Sequence, residues 1–238
     1  MGISESFLGS ATARSTTFAL DRKRPVAQQV YEDLRDRIIN LELKPGVSLS
    51  RPEIADFYTV SQTPVRDAFL KLEQERLVDV YPQSKTLVAR IDIDQARETQ
   101  FLRIAIELEV VHRLATDPDK RGIVAARRLV EDETQSIADG DLQLFSRLDG
   151  RFHATLYRAA GHVALWDLVV SRSGHIDRLR KLDLPSPGKM NAIVTDHQAI
   201  LAAIEASDPV TAEAEVRKHL SGTLRSVDRI AAGHPGYF

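Results

Sequence analysis

The stretch Val60-Ser61-Gln62-Thr63-Pro64-Val65-Arg66-Asp67-Ala68-Phe69-Leu70-Lys71-Leu72-Glu73 decides how the first third of the chain is read. Ser61 or Thr63 can accept from the free N–H groups at a helix start, and Pro64 in the first turn gives up only an N–H that has no partner there. Val65, Ala68, Phe69 and Leu72 recur at three- and four-residue steps, so one face of this helix is buried. Upstream, Val26, Val30, Leu34, Ile38 and Leu41 draw the stripe of a helix opened by Pro25 and stopped by Lys44-Pro45-Gly46. A short helix fits about 51–58, with Ile54, Ala55 and Phe57 inward. Downstream, residues 77–81 and 86–91 read as two strands joined by the turn Pro82-Gln83-Ser84-Lys85. Three helices followed by a two-stranded ribbon is the order of a winged helix-turn-helix. The same order also builds α/β packing modules that bind nothing.

Beyond Asp92 the pattern turns helical. Six segments, about 94–116, 120–138, 142–160, 164–182, 189–206 and 209–232, are separated by turn signals such as Asp117-Pro118-Asp119 and Pro185-Ser186-Pro187-Gly188. Short connections favour antiparallel neighbours. The expected fold is therefore mainly α: a winged helix-turn-helix domain over 23–91, then an all-α antiparallel helical bundle over 92–238. Residues 1–22, rich in Ser, Thr, Ala and Gly without an apolar period, are expected to form a mobile tail.

Composition excludes several classes. The 238 residues contain no Cys, which removes disulfide scaffolds, thiolate metal sites and thiol nucleophiles together and fits a reducing cytoplasm. No apolar run approaches the roughly 20 residues that span a bilayer, and the first twenty residues lack a basic start followed by an apolar block, so neither a membrane nor a secretory signal is expected. Charge is nearly silent about partners. Thirteen basic and twelve acidic side chains in residues 1–91, and nineteen and twenty-two in the rest, give +1 and −3. DNA binding by such a chain has to come from locally placed cations rather than from net charge.

The histidines carry the next signal. Asp149 and His153 stand four apart, on one face of one predicted helix. His197 lies ten residues before Ser207 and His219 ten after Pro209, so an antiparallel hairpin of those two helices brings both imidazoles to one level. A carboxylate with three imidazoles suits a borderline divalent ion such as Zn²⁺, Mn²⁺ or Ni²⁺, with open positions for a carboxylate ligand. Single histidines more often lie on helix surfaces or in cores, and His112, His162 and His234 are read that way. In Ser171-Arg172-Ser173-Gly174-His175-Ile176-Asp177-Arg178, His175 and Arg178 are candidates for holding an organic anion, Arg178 bidentately.

With these residues laid out, the chain resembles a GntR-family transcription regulator of the FadR subgroup, whose C-terminal effector domain is called FCD. The likeness runs from about Val26 to Ser226. It is carried by Val30-Tyr31-Glu32-Asp33-Leu34-Arg35, Leu43-Lys44-Pro45-Gly46 and the opening string, then by Arg103 and Glu107, Asp149-Gly150-Arg151-Phe152-His153, Asp196-His197-Gln198-Ala199-Ile200 and Arg217-Lys218-His219-Leu220. In similar proteins the matching Asp and three His hold a metal, which implies that role for Asp149, His153, His197 and His219. The resemblance also implies a homodimer that binds double-stranded DNA at a short palindromic operator and answers to a small organic acid effector bound by the metal and by Arg103, Arg178 or His175. Gln62 is expected to read a base, Ser61, Thr63 and Arg66 to position phosphates or bases, and Arg51 and the wing's Lys85 to contact the backbone. The family commonly has Arg at the position of Gln62 and glycine in the wing where this chain has Gln83-Ser84-Lys85. Gln reads adenine where Arg reads guanine, so the operator is expected to differ from those of relatives. Gly150 is a poor residue for a helix interior.

Two other classes compete. A metal-dependent hydrolase with an accessory N-terminal module needs a general base beside an activated water, yet Asp149 is already taken as a ligand and no His-Glu-x-x-His or Gly-x-Ser-x-Gly string occurs, so no enzyme is expected. A helical interaction module without DNA binding is the other, favoured by the near-neutral first 91 residues.

Overall fold

The structure, a computed structural model, describes Phe7, residues 19–82 and residues 84–238, apart from the side chain of Arg121. Most of the expected N-terminal tail and Gln83 of the wing turn lie outside the described residues. By their internal contacts the described residues form two compact units. One runs up to Ile93 and takes in Ala231–Phe238; the other is Asp94–Ile230.

The first unit is built from α1 (Val26–Ile39), α2 (Arg51–Tyr58), α3 (Gln62–Gln74), β1 (Val78–Tyr81) and β2 (Lys85–Val88). Ser50 caps α2, its hydroxyl accepting from the Glu53 N–H, and Pro52 occupies the first turn. The chain leaves α2 through Thr59 in the left-handed region (φ 56°) and enters α3 with Ser61 at the N-cap position. The Ser61 hydroxyl makes no capping hydrogen bond, so the cap is its backbone position alone. Val65, Ala68, Phe69 and Leu72 of α3 are buried with Val30, Leu34 and Ile38 of α1, as their spacing requires. The hairpin pairs Val78 with Val88 and Tyr81 with Lys85, so Lys85 opens β2 rather than closing the turn.

Two features of this unit differ from expectation. Phe7, inside the stretch read as a mobile tail, is fully buried, edge-on to Phe57 at 5.3 Å and beneath the Arg37 guanidinium at 4.8 Å. The last eight residues, assigned by sequence to the bundle, belong here. The Tyr237 carbonyl accepts from the Ile91 N–H at 2.7 Å and the Phe238 carbonyl from Arg90 Nη1 at 2.6 Å, which ties them to the segment after the wing.

The second unit is helical throughout: α4 (Ile93–Thr116, whose first residue closes the first unit), α5 (Arg121–Ala138), α6 (Leu142–Ala159), α7 (Val163–Arg172), α8 (Gly174–Asp183), α9 (Lys189–Glu205), α10 (Pro209–Leu220), α11 (Gly222–Arg225) and α12 (Val227–Gly233, whose last three residues group with the first unit). Helix α5 packs on both α6 and α9, and α9 on α10, so these four surround one core. Two segments read as single helices are broken, at Ser173-Gly174 and at Ser221-Gly222. The Ser173 hydroxyl donates to the Val170 carbonyl at 3.0 Å and the Ser221 hydroxyl to the Arg217 carbonyl at 2.7 Å. A serine that competes for the carbonyls of the preceding turn, followed by glycine, is a recurrent cause of a helix break. A further break falls at Ser226. Among the described residues no helix is long and apolar enough to cross a membrane.

Candidate metal centre and nucleic-acid interface

Asp149 and His153 project from α6, His197 from α9 and His219 from α10. Each of the four offers a donor atom, all within 4.8 Å of one another. The hairpin count places its pair correctly: His197 Nε2 lies 3.3 Å from His219 Nε2, and His153 Nε2 lies 3.2 Å from the same atom. Nitrogens that share one ion at 2.0–2.1 Å, with angles between octahedral and tetrahedral, stand about 2.9–3.4 Å apart. Asp149 Oδ1 is 3.9 Å from His197 Nε2, buried, and has no hydrogen-bond partner; the other oxygen is held by Arg180. The donor set therefore fits a cation: two imidazole nitrogens at ligand spacing from a third, and a buried carboxylate oxygen left over.

Electrostatics favour the same form. Burial pushes the His219 imidazole down to about 4, despite the Asp196 carboxylate nearby. Burial, with the Arg103 guanidinium, also holds His153 well below its usual value. Burial by itself would raise the Asp149 carboxyl, but Arg180 and the three imidazoles keep it far below the ordinary carboxylate range. At neutral pH His153 and His219 thus offer bare nitrogens and Asp149 an ionised oxygen, the protonation state in which metals bind.

Sequence reasoning missed the carboxylates behind the imidazoles. His153 Nδ1 faces Glu107 Oε2 at 2.8 Å, His197 Nδ1 faces Glu133 Oε2 at 2.9 Å, and His219 Nδ1 lies 3.7 Å from Asp196 Oδ2. Glu107 and Asp196 stood in quoted motifs without this role. Glu133 carries no local signal, because its partner is 64 residues away.

Of the three effector-binding candidates, one lies at the centre. Arg103 is 5% exposed; its Nε bonds Glu107 Oε1 at 2.5 Å, while its Nη2 is buried without a hydrogen-bond partner. It lines a small cavity of about 30 Å³ together with His219, Arg180, Lys189 and Gln100. His175 and Arg178 are not among its lining residues. Both are buried, and Arg178 Nη2 donates to His175 Nδ1 at 2.9 Å. The guanidinium that lines the cavity belongs to Arg180, two residues along α8 and hence on another face of the helix. His112 is exposed and paired with Glu213, His162 is half-buried and paired with Arg113, and His234 stacks on Tyr237.

In the first unit, Arg51, Ser61, Gln62, Thr63, Arg66 and Lys85 are all exposed. Arg51, Arg66 and Lys85 come together in the walls of a groove of about 430 Å³ between α3, the start of α2 and the wing. Ser61, Gln62 and Thr63 are not among the groove's lining residues; they stand at the N-terminal end of α3. Among the described ion pairs Arg66 meets only Asp67, at 3.4 Å, and Lys85 lies over the Tyr81 ring at 5.5 Å. These cations are exposed, and a surface that meets phosphates needs exposed cations.

Comparison with known proteins agrees with both halves. Residues 26–88 match the gntR family of bacterial regulatory proteins, and residues 98–222 match the FCD domain. The chain is 36% identical over 212 residues to an HTH-type transcriptional regulator in an unstable DNA locus of Streptomyces ambofaciens, covering 89% of each. It is 29% identical over 219 residues to the HTH-type transcriptional repressor RspR of Escherichia coli, covering 92% of this chain and 96% of that one. The fold matches solved Escherichia coli McbR/YncC with a TM-score of 0.73 at 20% identity, over 87% of this chain and 98% of that one. A GntR regulator from Rhodococcus matches with a TM-score of 0.70 at 22% identity, over 85% and 97%. The chain therefore belongs to the GntR family, in the subgroup that carries an FCD domain, and is a DNA-binding transcriptional regulator rather than an enzyme.

Proposed function

We propose that this regulator is a metal-loaded, acid-responsive repressor. One divalent ion, Zn²⁺, Mn²⁺ or Ni²⁺, sits on Asp149, His153, His197 and His219, and a small organic acid places its carboxylate on Arg103. The observation that carries this reading is the convergence of His153 Nε2 and His197 Nε2 to within 3.3 Å of His219 Nε2, on a site with an unpartnered Asp149 oxygen. When bound, the ion supplies a Lewis-acidic point for a carboxylate or hydroxyl oxygen. The unpartnered Arg103 Nη2, buried beside His219, supplies the second point, since a buried guanidinium donor without an acceptor is costly and an acid relieves that cost. His175 and Arg178 have no part in it.

On the DNA side, Gln62 reads a base edge from the start of α3, Ser61, Thr63 and Arg66 set the register, and Arg51 and Lys85 grip the backbone. The protein acts in the cytoplasm as a homodimer on a palindromic operator. Exposed apolar side chains on neighbouring helices of the bundle, Phe101 of α4 and Val163, Leu165 and Leu168 of α7, support the dimer; Thr99 of α4 bonds the Arg172 carbonyl at the end of α7. The likeness to RspR supports repression. Acid must bind one dimer geometry better than the other if it is to release DNA.

A melting screen of the purified protein against sugar, hydroxy and aromatic acids, with and without each ion, tests the sensing half. A ligand at a hundred times its dissociation constant stabilises by about 2.7 kcal/mol. The expected result is a rise with ion and a further rise with acid only when ion is present, matched by release of DNA from upstream of its gene in an anisotropy assay. No ion-dependent rise would remove the sensing half and leave the DNA-binding half standing.

A further inference from the structure

We infer that Glu133, which donates nothing to the four-residue cluster, is the positioning residue that holds His197 in its ligand form. Its Oε2 accepts the Nδ1 proton of His197 and so leaves Nε2 bare and aimed at the centre. The inference rests on the metal-centre reading above. Glu133 lies on α5, and its Oε2 is 2.9 Å from His197 Nδ1. Both side chains are fully buried, at 0% exposure.

The three carboxylates behind the imidazoles are not equivalent. Glu107 is shared between His153 and Arg103, and Asp196 pairs with Lys218 at 2.8 Å and keeps His219 at 3.7 Å. Among the described ion pairs Glu133 meets only His197, and its second oxygen, Oε1, is buried without a hydrogen-bond partner. A carboxylate buried for one imidazole is explained by what it does to that imidazole. The His197 ring is also stacked on Phe152 at 3.9 Å and 16°, so its plane is held by a ring face and its tautomer by Glu133. In the other tautomer the proton would sit on Nε2, 3.3 Å from His219 Nε2, in the space an ion needs. Outer carboxylates that take the second N–H of a metal-bound histidine fix tautomer and orientation in this way, and their loss typically lowers metal affinity 10- to 100-fold.

The test has two independent arms on the full-length protein. In the first, Zn²⁺ affinity is measured by chelator competition for the wild type, Glu133→Gln and Glu131→Gln, an exposed glutamate of the same helix. Glu133→Gln is expected to bind about 10- to 100-fold more weakly and Glu131→Gln like the wild type. In the second, ¹⁵N spectra of the histidine rings in metal-free wild type are expected to show His197 protonated on Nδ1 and bare on Nε2, a signature that a merely space-filling role for Glu133 would not require. Equal Zn²⁺ affinity of Glu133→Gln and wild type, or a His197 proton on Nε2 in the wild type, overturns the role of Glu133. Failure of the wild type itself to bind Zn²⁺, Mn²⁺ and Ni²⁺ overturns the metal centre and this inference with it. If Glu133→Gln does not fold, the tautomer in the wild type decides.

Discussion

The two units place their chemistry on opposite sides of the solvent boundary. In the first, the buried polar side chains among the described residues are Gln29, Arg37 and Thr86, and the groups proposed to meet DNA are exposed. In the second, Arg103, Glu107, Glu133, Asp149, His153 and His197 are all buried in one core. A phosphate backbone is a large ligand that brings its own field, so exposed cations on a rigid helix and hairpin are enough. A single ion or small acid must be gripped from several directions. That requires desolvated groups arranged before the ligand comes, and a bundle provides it by letting four helices converge.

The contrast predicts separable failures. The largest is expected for the double variant His197→Ala, His219→Ala: ion affinity should fall about a thousandfold or more, as half of the ligand set disappears, while affinity for DNA in ion-free buffer stays within a few-fold. Metal analysis after dialysis and anisotropy read the two. Full metal content, or DNA binding lost alongside, would break the division of labour.

Acid should distinguish the units next. His219 binds its proton in the unfolded chain near pH 6.5 but in the folded one only near 4, so the unfolded state holds more protons between those values. Stability of the ion-free protein is therefore expected to fall as pH drops from about 6.5 to 4, by up to about 3 kcal/mol from this residue, with His153 adding in the same direction. Urea titrations at pH 7 and 5 measure the loss. In His219→Ala the slope should be shallower.

Salt acts the other way round. Arg66→Ala and Lys85→Ala are each expected to reduce the log–log salt slope of DNA binding by about 1 while leaving Zn²⁺ affinity unchanged, and Gln62→Ala to flatten preference among operator sequences by about 1–3 kcal/mol at one base pair. An unchanged slope in both cation variants would mean that the groove between α3 and the wing does not meet phosphates.

The smallest effects concern two glycines of the bundle. A Cβ on Gly122 of α5 would stand 2.2 Å from Ala159 Cβ of α6, so Gly122→Ala should cost about 1–3 kcal/mol. A Cβ on Gly150 meets nothing within 4 Å, so Gly150→Ala should stabilise by about 0.5–1 kcal/mol in thermal melts. The flaw that sequence assigns to Gly150 is therefore one of propensity alone.

How much of this was legible depended on distance along the chain. Asp149 and His153 share a helix face, and counting outward from one turn was enough to bring His197 and His219 to one level. Periodicity likewise drew the buried faces of α1 and α3. Contacts that need two or more helices to be placed were illegible: Glu133 behind His197, Asp196 beside His219, and Arg180 at Asp149. The breaks at Ser173-Gly174 and Ser221-Gly222 were written in the sequence, but apolar spacing continues across both, and only the serine hydroxyls on the preceding carbonyls interrupt the backbone. Phe7 stands in a stretch without an apolar period, and its burial depends on Phe57 and Arg37, fifty and thirty residues away.

The chain has one tryptophan, Trp166 of α7, and its indole lies nearly parallel to the His153 ring with centroids 6.3 Å apart. Tryptophan emission from this protein therefore has a single origin, beside a proposed ligand. An ion with unpaired d electrons, such as Mn²⁺ or Ni²⁺, should darken that emission on entry, whereas d¹⁰ Zn²⁺ lacks that route. The molecule carries its own optical gauge of which kind of ion has arrived, with no label attached.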